Sequence, residues 1–218
     1  MIQVTRIFNS PFLGVYLRTW EDYTLVPRNS DRDFKSMTSH YLKTEPIEMT
    51  IGGSNLLGSM TVMNSNGMIF SNIVSEEELK NIPKDVNYAV LKDNLNAVGN
   101  NILANNKAAL IHEEFSDESV RTIGEVLGVE VVKGKFREVR TVGSSGLITS
   151  SGLVIPPNMT DDEIDELGKL FGVKGRVGTA NFGSLYIGAS VVSNSKGALI
   201  GEDSTTVEIS NIEEALNL

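Results

Sequence analysis

Residues 58–70, GSMTVMNSNGMIF, contain two short apolar segments separated by Asn-Ser-Asn-Gly. Residues 188–200, GASVVSNSKGALI, repeat this pattern with glycine, asparagine and glycine at the same offsets. Asn and Gly tolerate the positive φ that a tight hairpin loop needs. Both stretches are therefore predicted to be β-hairpins, and their likeness indicates an internal repeat.

The first glycine of the pattern marks five units along the chain. These anchor glycines are Gly14, Gly58, Gly99, Gly143 and Gly188, and their spacings are 44, 41, 44 and 45 residues. Other offsets agree as well: asparagine stands six residues after three anchors and glycine stands nine residues after three, at Asn64, Asn105, Asn194, Gly67, Gly152 and Gly197. Chance does not produce agreement at so many offsets, so the chain is a fivefold repeat.

A helix is predicted after each hairpin. Seventeen residues after the anchors stand residues that cap helix N-termini well, namely Asp31, Ser75, Ser116, Thr160 and Thr205. Glu78 and Glu163 follow their caps by three residues, which completes the capping-box pattern. Asn87, Gly128 and Gly172 stand where the helices would end in the left-handed conformation. A short apolar segment such as 88–91 follows, so each unit is predicted to be hairpin, helix and strand.

The two ends of the chain predict a closed ring. The fifth unit stops at Leu218, where its last strand would begin, and residues 2–6 form a predicted strand without a unit of its own. We therefore expect the N-terminal strand to complete the fifth unit, which makes residues 1–218 a single domain of five repeats. An open array is the alternative, and it would need atypical polar caps at both ends.

Composition restricts the class of protein. The net charge is −9 and the isoelectric point is about 4.8, whereas proteins that bind nucleic acid by neutralising phosphates are usually basic, so we expect no DNA binding. Without cysteine there is no disulfide framework and no thiolate nucleophile. No apolar run approaches the roughly 20 residues of a membrane span, and the N-terminus lacks a secretory signal pattern. We expect a cytoplasmic protein without membrane association.

Charged residues are rare in the predicted hairpins. Residues 58–74, 141–160 and 177–195 contain none, whereas acidic residues concentrate on the predicted helices. We therefore expect buried hairpins, helices that face water, and hairpin ends whose Asn, Ser, Thr and Gly form a neutral face for hydrogen bonding a protein or ordered RNA. One basic cluster stands apart, and it either contacts phosphate or is a solvated connection between two units: Lys133, Lys135, Arg137 and Arg140.

Motifs for chemistry are missing from the sequence. His40 and His112 have no partner at metal-ligand spacing. Ser144 and Ser145 do not fit a nucleophile turn because Leu147 occupies the position that requires glycine. The GSSG segment also lacks the Gly-Lys-Ser/Thr ending of a P-loop. We predict no catalytic residue, no metal site and no cofactor.

Five hairpin-helix-strand units in a closed ring resemble the pentein fold, an α/β architecture. That fold includes guanidine-modifying enzymes, which use a nucleophilic cysteine that this chain lacks. It also includes the translation initiation factor 6 family, which this chain resembles over nearly its whole length. The segments that carry the resemblance are 51–70, 95–115, 142–160 and 177–205. Because the chain ends at Leu218 without the polar tail of eukaryotic members, it looks like the archaeal form.

This resemblance implies a non-catalytic, monomeric factor that binds the large ribosomal subunit on its intersubunit face. There it would contact a ribosomal protein near the sarcin–ricin loop and block small-subunit joining, and a part in large-subunit maturation is a further implication. The implied ribosome-facing residues are Gly14, Ser59, Asn100, Ser144 and Ala189. Ser59 replaces a basic residue of eukaryotic members.

Three alternatives remain open at this point. Gly14 and Asn100 would serve turn geometry alone if they do not contact a ribosome. For the whole protein, the alternatives are a generic ring-shaped interaction scaffold and, against the lack of cysteine, a guanidine-modifying enzyme.

Overall fold

The structure, a computed structural model, describes residues 1–30 and 32–218. These residues form five sheets of three strands each. From the N-terminus the elements are β1 (Ile2–Thr5), α1 (Leu13–Tyr16), β2 (Arg18–Thr19), β3 (Tyr23–Pro27), α2 (Arg32–Leu42), β4 (Glu45–Met49), α3 (Leu57–Met60), β5 (Thr61–Asn64), β6 (Gly67–Ser71), α4 (Glu76–Leu79), β7 (Tyr88–Leu91), α5 (Val98–Asn101) and β8 (Ile102–Ala104). They continue with β9 (Ala108–Ile111), α6 (Asp117–Leu127), β10 (Glu130–Lys133), α7 (Val142–Ser145), β11 (Leu147–Ile148), β12 (Gly152–Ile155), α8 (Asp161–Phe171), β13 (Lys174–Val177), α9 (Ile187–Ser190), β14 (Val191–Ser193), β15 (Ala198–Gly201) and α10 (Thr206–Leu216).

All five sheets share one plan, in which an antiparallel hairpin is extended by a parallel third strand after a helix. In the second unit, for example, β5 pairs antiparallel with β6, and β7 lies parallel to β6. The third strand of the fifth sheet is β1, which runs parallel to β15 with Val4 beside Ile200. The beginning of the chain therefore completes the last hairpin. The predicted ring of five hairpin-helix-strand units is confirmed.

The anchor glycines lie in four-residue helices that precede the hairpins, a feature that the sequence pattern did not predict. These helices, α1, α3, α5, α7 and α9, follow one another around the ring. A Cβ added to Gly58 would overlap the carbonyl oxygen of Gly14, and one added to Gly14 would overlap that of Gly188. The same relation joins Gly99 to Gly58, Gly143 to Gly99 and Gly188 to Gly143. Glycine is required because each anchor lies against the backbone of its neighbour.

The asparagine six residues after the anchor joins one unit to the next. In the fifth unit, Asn194 Oδ1 accepts from the backbone N–H groups of Lys196 and Gly197, at 2.9 and 3.2 Å, and so closes the hairpin loop. Its Nδ2 donates to the carbonyl oxygen of Leu42, the last residue of α2, at 2.8 Å. One amide side chain thereby holds a tight turn and satisfies an orphan carbonyl of the neighbouring helix.

The same junction recurs around the ring. Asn64 donates to Leu127 O at 2.8 Å and Asn105 donates to Phe171 O at 2.9 Å, and both carbonyls end helices of the following unit. In the fourth unit, Thr149 accepts in the hairpin loop while Ser151 donates to Leu216 O at 2.7 Å. The predicted neutral polar face is therefore partly wrong, because these asparagines and Thr149 are buried and bonded within the ring.

The helix boundaries follow their caps in most units. Capping boxes at Ser75–Glu78 and Thr160–Glu163 are confirmed, and Gly128 and Gly172 end their helices in the left-handed conformation as predicted. The predicted cap Asp31 lies outside the described residues. Asn87 does not end a helix, because α4 stops at Leu79 and Pro83, which has no N–H to donate, prevents its continuation. Within residues 1–30 and 32–218, no helix has the length and apolar character needed to cross a membrane.

The hydrophobic core consists of five clusters, and each cluster combines residues of two neighbouring units. One contains Ile69 of the second unit and Leu127 of the third. Another contains Leu199 of the fifth unit and Leu42 of the first. The hairpin strands supply about half of the buried residues in these clusters, consistent with their lack of charge. Because apolar burial provides most of the stabilisation of a fold, each unit depends on its neighbours.

Candidate functional site

The five predicted ribosome-facing residues all lie on the short helices that carry the anchors. Gly14, Ser59, Ser144 and Ala189 are buried. The ring brings them near one another, because an added Cβ on Gly14 would lie 3.2 Å from the carbonyl carbon of Ala189. Buried positions of this kind shape a surface through the backbone and do not offer side chains to a partner.

Asn100 differs from the other four. Its side chain is half-buried and forms no hydrogen bond within the described part of the chain. The adjacent Asn101 is buried, and its Nδ2 donates to Ala97 O at 2.9 Å. Of these two neighbouring amides, Asn101 bonds to its own helix, whereas the side-chain donors and acceptor of Asn100 are unbonded within the described residues.

An exposed aromatic patch lies where the fifth unit meets the first. It consists of Phe8, Phe182 and Tyr186, which are 44%, 82% and 51% exposed, together with the half-buried Tyr16. The rings of Phe8 and Tyr16 are edge-on, with centroids 5.4 Å apart. Asn181 Nδ2 donates to Pro11 O at 2.9 Å, which ties the two loops together. Exposed aromatic side chains of this kind are enriched at protein–protein interfaces.

The loops that present this patch adopt an unfavourable backbone conformation. Phe8, Asn9, Asn181 and Phe182 have φ values of 50°, 58°, 46° and 59°. Left-handed conformations are costly for aromatic residues and persist only where surrounding contacts fix them. Both phenylalanines stand six residues before an anchor, Gly14 and Gly188 respectively. This agreement is visible in the sequence, but it lies before the anchors, outside the offsets that define the repeat.

Glu208 fixes the loop that carries Phe182. Its carboxylate accepts from the backbone N–H groups of Phe182 at 3.2 Å and Gly183 at 2.7 Å, and from Thr179 Oγ1 at 2.7 Å. Partial burial raises the pKa of Glu208, but hydrogen bonds from Thr205, Gly183 and Thr179 outweigh that effect and lower it overall. The loop is therefore held by an ionised side chain from the start of α10.

Carboxylates also fix the loops before two other anchors, although Glu78 bonds its loop from the start of α4, whereas Asp93 belongs to its loop and bonds the start of α6. Glu78 accepts from Thr50, Gly52 and Gly53 at 2.7–2.9 Å, and Asp93 accepts from Ser116 and Ser119 at 3.1 and 2.7 Å. Partial burial raises the pKa of each group, but these hydrogen bonds outweigh it and lower both values to about 2. The acidic residues at the helix starts thus have a structural function.

The basic cluster is neutralised by neighbouring carboxylates. Arg140 pairs with Glu114 at 2.7 Å and Arg137 pairs with Glu163 at 3.0 Å. Lys133 and Lys135 pair with Asp117 and Glu113 at 3.4 and 3.8 Å. These contacts favour a solvated connection between two units over a phosphate contact.

The two histidines lie in different units of the ring, His40 on α2 and His112 after β9. His112 is buried, and its Nδ1 accepts from the Glu114 N–H at 3.1 Å. His40 stacks edge-on against Tyr41, with centroids 4.9 Å apart. Among the described residues, no group of three His, Asp or Glu side chains is arranged to hold a metal ion.

A cavity of about 40 Å³ lies on the ring axis, lined by residues of all five units. Small-molecule sites usually have volumes of several hundred Å³, so this cavity is too small for a typical substrate. Arg18 lines it and is a residue that the sequence comparison did not single out.

A ring of five such units with a β-hairpin, helix and parallel strand in each defines a pentein. The model of the eIF-6 family matches residues 2–215, so the chain belongs to the eIF-6 family. The resemblance stated from the sequence is therefore confirmed.

Archaeal relatives support this assignment over full length. The chain is 42% identical to translation initiation factor 6 of Picrophilus torridus and 39% identical to that of Thermoplasma acidophilum, with all of both chains covered in each comparison. It is 41% identical to translation initiation factor 6 of Methanocaldococcus jannaschii, with 95% of this chain and 94% of the relative covered.

Proposed function

We propose that this chain binds the large ribosomal subunit at its intersubunit face and thereby prevents premature joining of the small subunit. Its membership in the eIF-6 family supports a role in translation initiation. The proposal adds a partner, the large ribosomal subunit, and an effect of binding, the prevention of subunit joining. In it, residues 1–218 act as one monomeric domain in the cytoplasm.

The observation that carries the proposal is the aromatic patch, which lies beside the anchor helices. Tyr16 belongs to α1, the helix of Gly14, and Tyr186 directly precedes α9, the helix of Ala189. The patch therefore adjoins the helices of two of the five predicted residues, Gly14 and Ala189. A large exposed aromatic such as Phe182 provides contact area at a small entropic cost, because only two side-chain torsions become fixed.

The charge distribution favours a ribosomal protein as the main contact. The loops that carry the patch, residues 7–12 and 177–186, contain no charged residue, and the whole chain has a net charge of −9. A surface that bound bare rRNA would need unpaired Lys or Arg side chains. An uncharged aromatic surface instead suits apolar side chains of a protein, with rRNA near the sarcin–ricin loop as a neighbour.

Subunit joining measured by sucrose gradient tests the proposal. Purified archaeal small and large subunits are mixed under conditions that favour joining, with and without saturating protein. We expect the joined-ribosome peak to decrease and the protein to sediment with the large subunit. An unchanged peak at saturating protein would contradict the proposal.

Matched variants connect this effect to the patch. Phe182→Asn removes the ring and keeps a residue that tolerates positive φ, so the loop conformation is preserved. Tyr88→Asn is the control, because Tyr88 is 43% exposed on β7, the edge strand of the second sheet. We expect Phe182→Asn to weaken large-subunit binding about tenfold or more, as loss of a central aromatic contact does. Equal binding by the two variants would place the contact elsewhere.

Two other functions would give different experimental results. A generic interaction scaffold would leave subunit joining unchanged and would capture proteins other than those of the large subunit from an archaeal lysate. A guanidine-modifying enzyme would turn over arginine or a related guanidine. The chain lacks the cysteine nucleophile of those enzymes, and its curated relatives are named as translation factors.

A further inference from the structure

Arg18 breaks the fivefold pattern of the central cavity. It stands four residues after its anchor, and the equivalent positions in the other units are Val62, Leu103, Leu147 and Val192. All five side chains line the cavity on the ring axis. One guanidinium therefore occupies a position that is aliphatic in the four other units.

The hydrogen bonds of Arg18 leave part of its guanidinium unsatisfied. Nη2 donates to the carbonyl oxygens of Gly58 at 2.5 Å and Gly99 at 3.1 Å, which belong to two anchor helices. Nε is buried and has no hydrogen-bond partner. Buried donors without partners are rare, and each calls for an explanation such as a bound ion or water.

The charge of Arg18 is also uncompensated. None of the ion pairs formed by the described residues includes Arg18, and the side chains that line the cavity include no carboxylate. Removal from water lowers the pKa of Arg18 to about 10, which still leaves it protonated at neutral pH. Arg18 is half-buried, and a cation that is partly removed from water without a counter-charge is unfavourable, so an anion in the cavity would relieve that cost.

The neighbouring hydroxyl groups do not satisfy this charge. Ser193 Oγ donates to Gly197 O at 3.0 Å, and Thr19 Oγ1 contacts Thr24 Oγ1 at 2.7 Å. Both hydroxyls are thus committed within their own hairpins. Any further partner of Arg18 must enter from the cavity.

We propose that the axial cavity binds one small inorganic anion, chloride, with Arg18 as its ligand. A volume of about 40 Å³ accommodates two or three water-sized species at most. That volume suits a halide, whereas a phosphate or a carboxylate metabolite would fill or exceed it. The anion pairs with the charge of Arg18 and accepts from Nε, and a water completes its shell.

Crystals grown in sodium bromide test the site directly, because bromide gives an anomalous signal that water does not. In the unmodified protein we expect one anomalous peak on the ring axis within about 3.5 Å of an Arg18 nitrogen, the usual reach of a hydrogen bond. Ordered water with no anomalous peak at this position would overturn the proposal. This measurement does not depend on whether any variant folds.

Thermal unfolding gives a second test with matched variants. Sodium chloride is compared with sodium gluconate at equal ionic strength, since gluconate is too large for the cavity. When chloride exceeds its dissociation constant tenfold, we expect it to raise the Tm of the unmodified protein by about 3–6 °C. Arg18→Met should lose this dependence, and Arg6→Met, which removes an exposed arginine paired with Glu202, should retain it. Equal chloride dependence in both variants, or none in the unmodified protein, would overturn the proposal.

Discussion

Asn194 and Leu42 are 152 residues apart in the chain, and the Asn194 Nδ2 donates to the Leu42 carbonyl oxygen at 2.8 Å. The bond joins the fifth hairpin to the helix of the first unit, at the junction where β1 completes the fifth sheet. Asn64 and Asn105 make the corresponding bonds at two other junctions. The ring is thus held by buried amides as well as by apolar clusters.

Replacement of Asn194 is expected to destabilise the protein strongly. Asn194→Ala leaves the carbonyl oxygens of Leu42 and Trp20 and two loop N–H groups without their partner, so we expect the free energy of unfolding to fall by about 2 kcal/mol or more. Urea denaturation measures this change. The control is Asn211→Ala on the exposed face of α10, which should be nearly neutral. Similar losses in both variants would contradict the proposed importance of the junction.

Substitution of an anchor glycine should be more damaging than substitution of a helical glycine elsewhere. Gly58→Ala places a Cβ against the carbonyl oxygen of Gly14, and relief requires movement of backbone around the ring. We expect a loss of about 3 kcal/mol or failure to fold. Gly124→Ala in α6 meets its nearest atoms at 3.4 Å and should be neutral or stabilising by up to about 1 kcal/mol. Thermal and urea unfolding compare the two, and a tolerant Gly58 position would show that the helices have room to separate.

Acid should destabilise the protein through the carboxylates that fix the loops. Glu78 and Asp93 have a folded-state pKa of about 2, below the ordinary values of 4.5 and 3.8. Because the folded pKa values are the lower ones, the stabilisation is fully present above about pH 4.5 and is lost as the pH falls towards 2. Glu78→Gln should therefore show a shallower loss of stability between these values in urea titrations. Glu76→Gln in the same helix is the control, and an unchanged pH slope in Glu78→Gln would refute this role of Glu78.

Asn100→Arg should distinguish a role of Asn100 in large-subunit binding from a role in turn geometry alone. The Asn100 side chain is half-buried and unbonded within the described residues, so an arginine can extend outwards without breaking a hydrogen bond. We expect large-subunit binding, measured by co-sedimentation, to weaken while the Tm stays nearly unchanged. Asn211→Arg, which adds the same charge on α10, controls for charge alone. A large decrease in the Tm of Asn100→Arg would instead support the turn-geometry alternative.

Much of the fold could be predicted because the same residue types recur at the same offsets in several units, so the pattern of one unit supports the interpretation of the others. The caps at Ser75 and Thr160 and the helix ends at Gly128 and Gly172 depend on local chemistry that a short stretch of sequence contains. The anchor helices could not be predicted in this way, because a helix of four residues is too short to show a hydrophobic periodicity. The requirement for glycine in these helices comes from close contact with a neighbouring unit, which the local sequence does not contain. The prediction that Asn87 ends a helix was wrong because Pro83 interrupts the helix that the repeat pattern otherwise predicts there.

The candidate site was less predictable than the fold. Ser59 and Ser144 read as polar surface residues, yet the packing of neighbouring anchor helices buries them. Phe182 reads as a core residue by type, and its exposure follows from a left-handed loop conformation that the residue type disfavours. The exceptional character of Arg18 is visible only in the structure, where the five equivalent positions line one cavity on the ring axis.

The pairing of β1 with β15 sets the order of events when the chain is made. Residues 2–5 are made nearly 200 residues before their partners at 198–201, so β1 has no partner strand during that interval. At about 5–20 residues per second this wait lasts roughly ten to forty seconds. The last core cluster and the aromatic patch both combine residues from the two ends. The face proposed for binding is therefore assembled only after residue 201 has been made, so a shorter nascent chain lacks it.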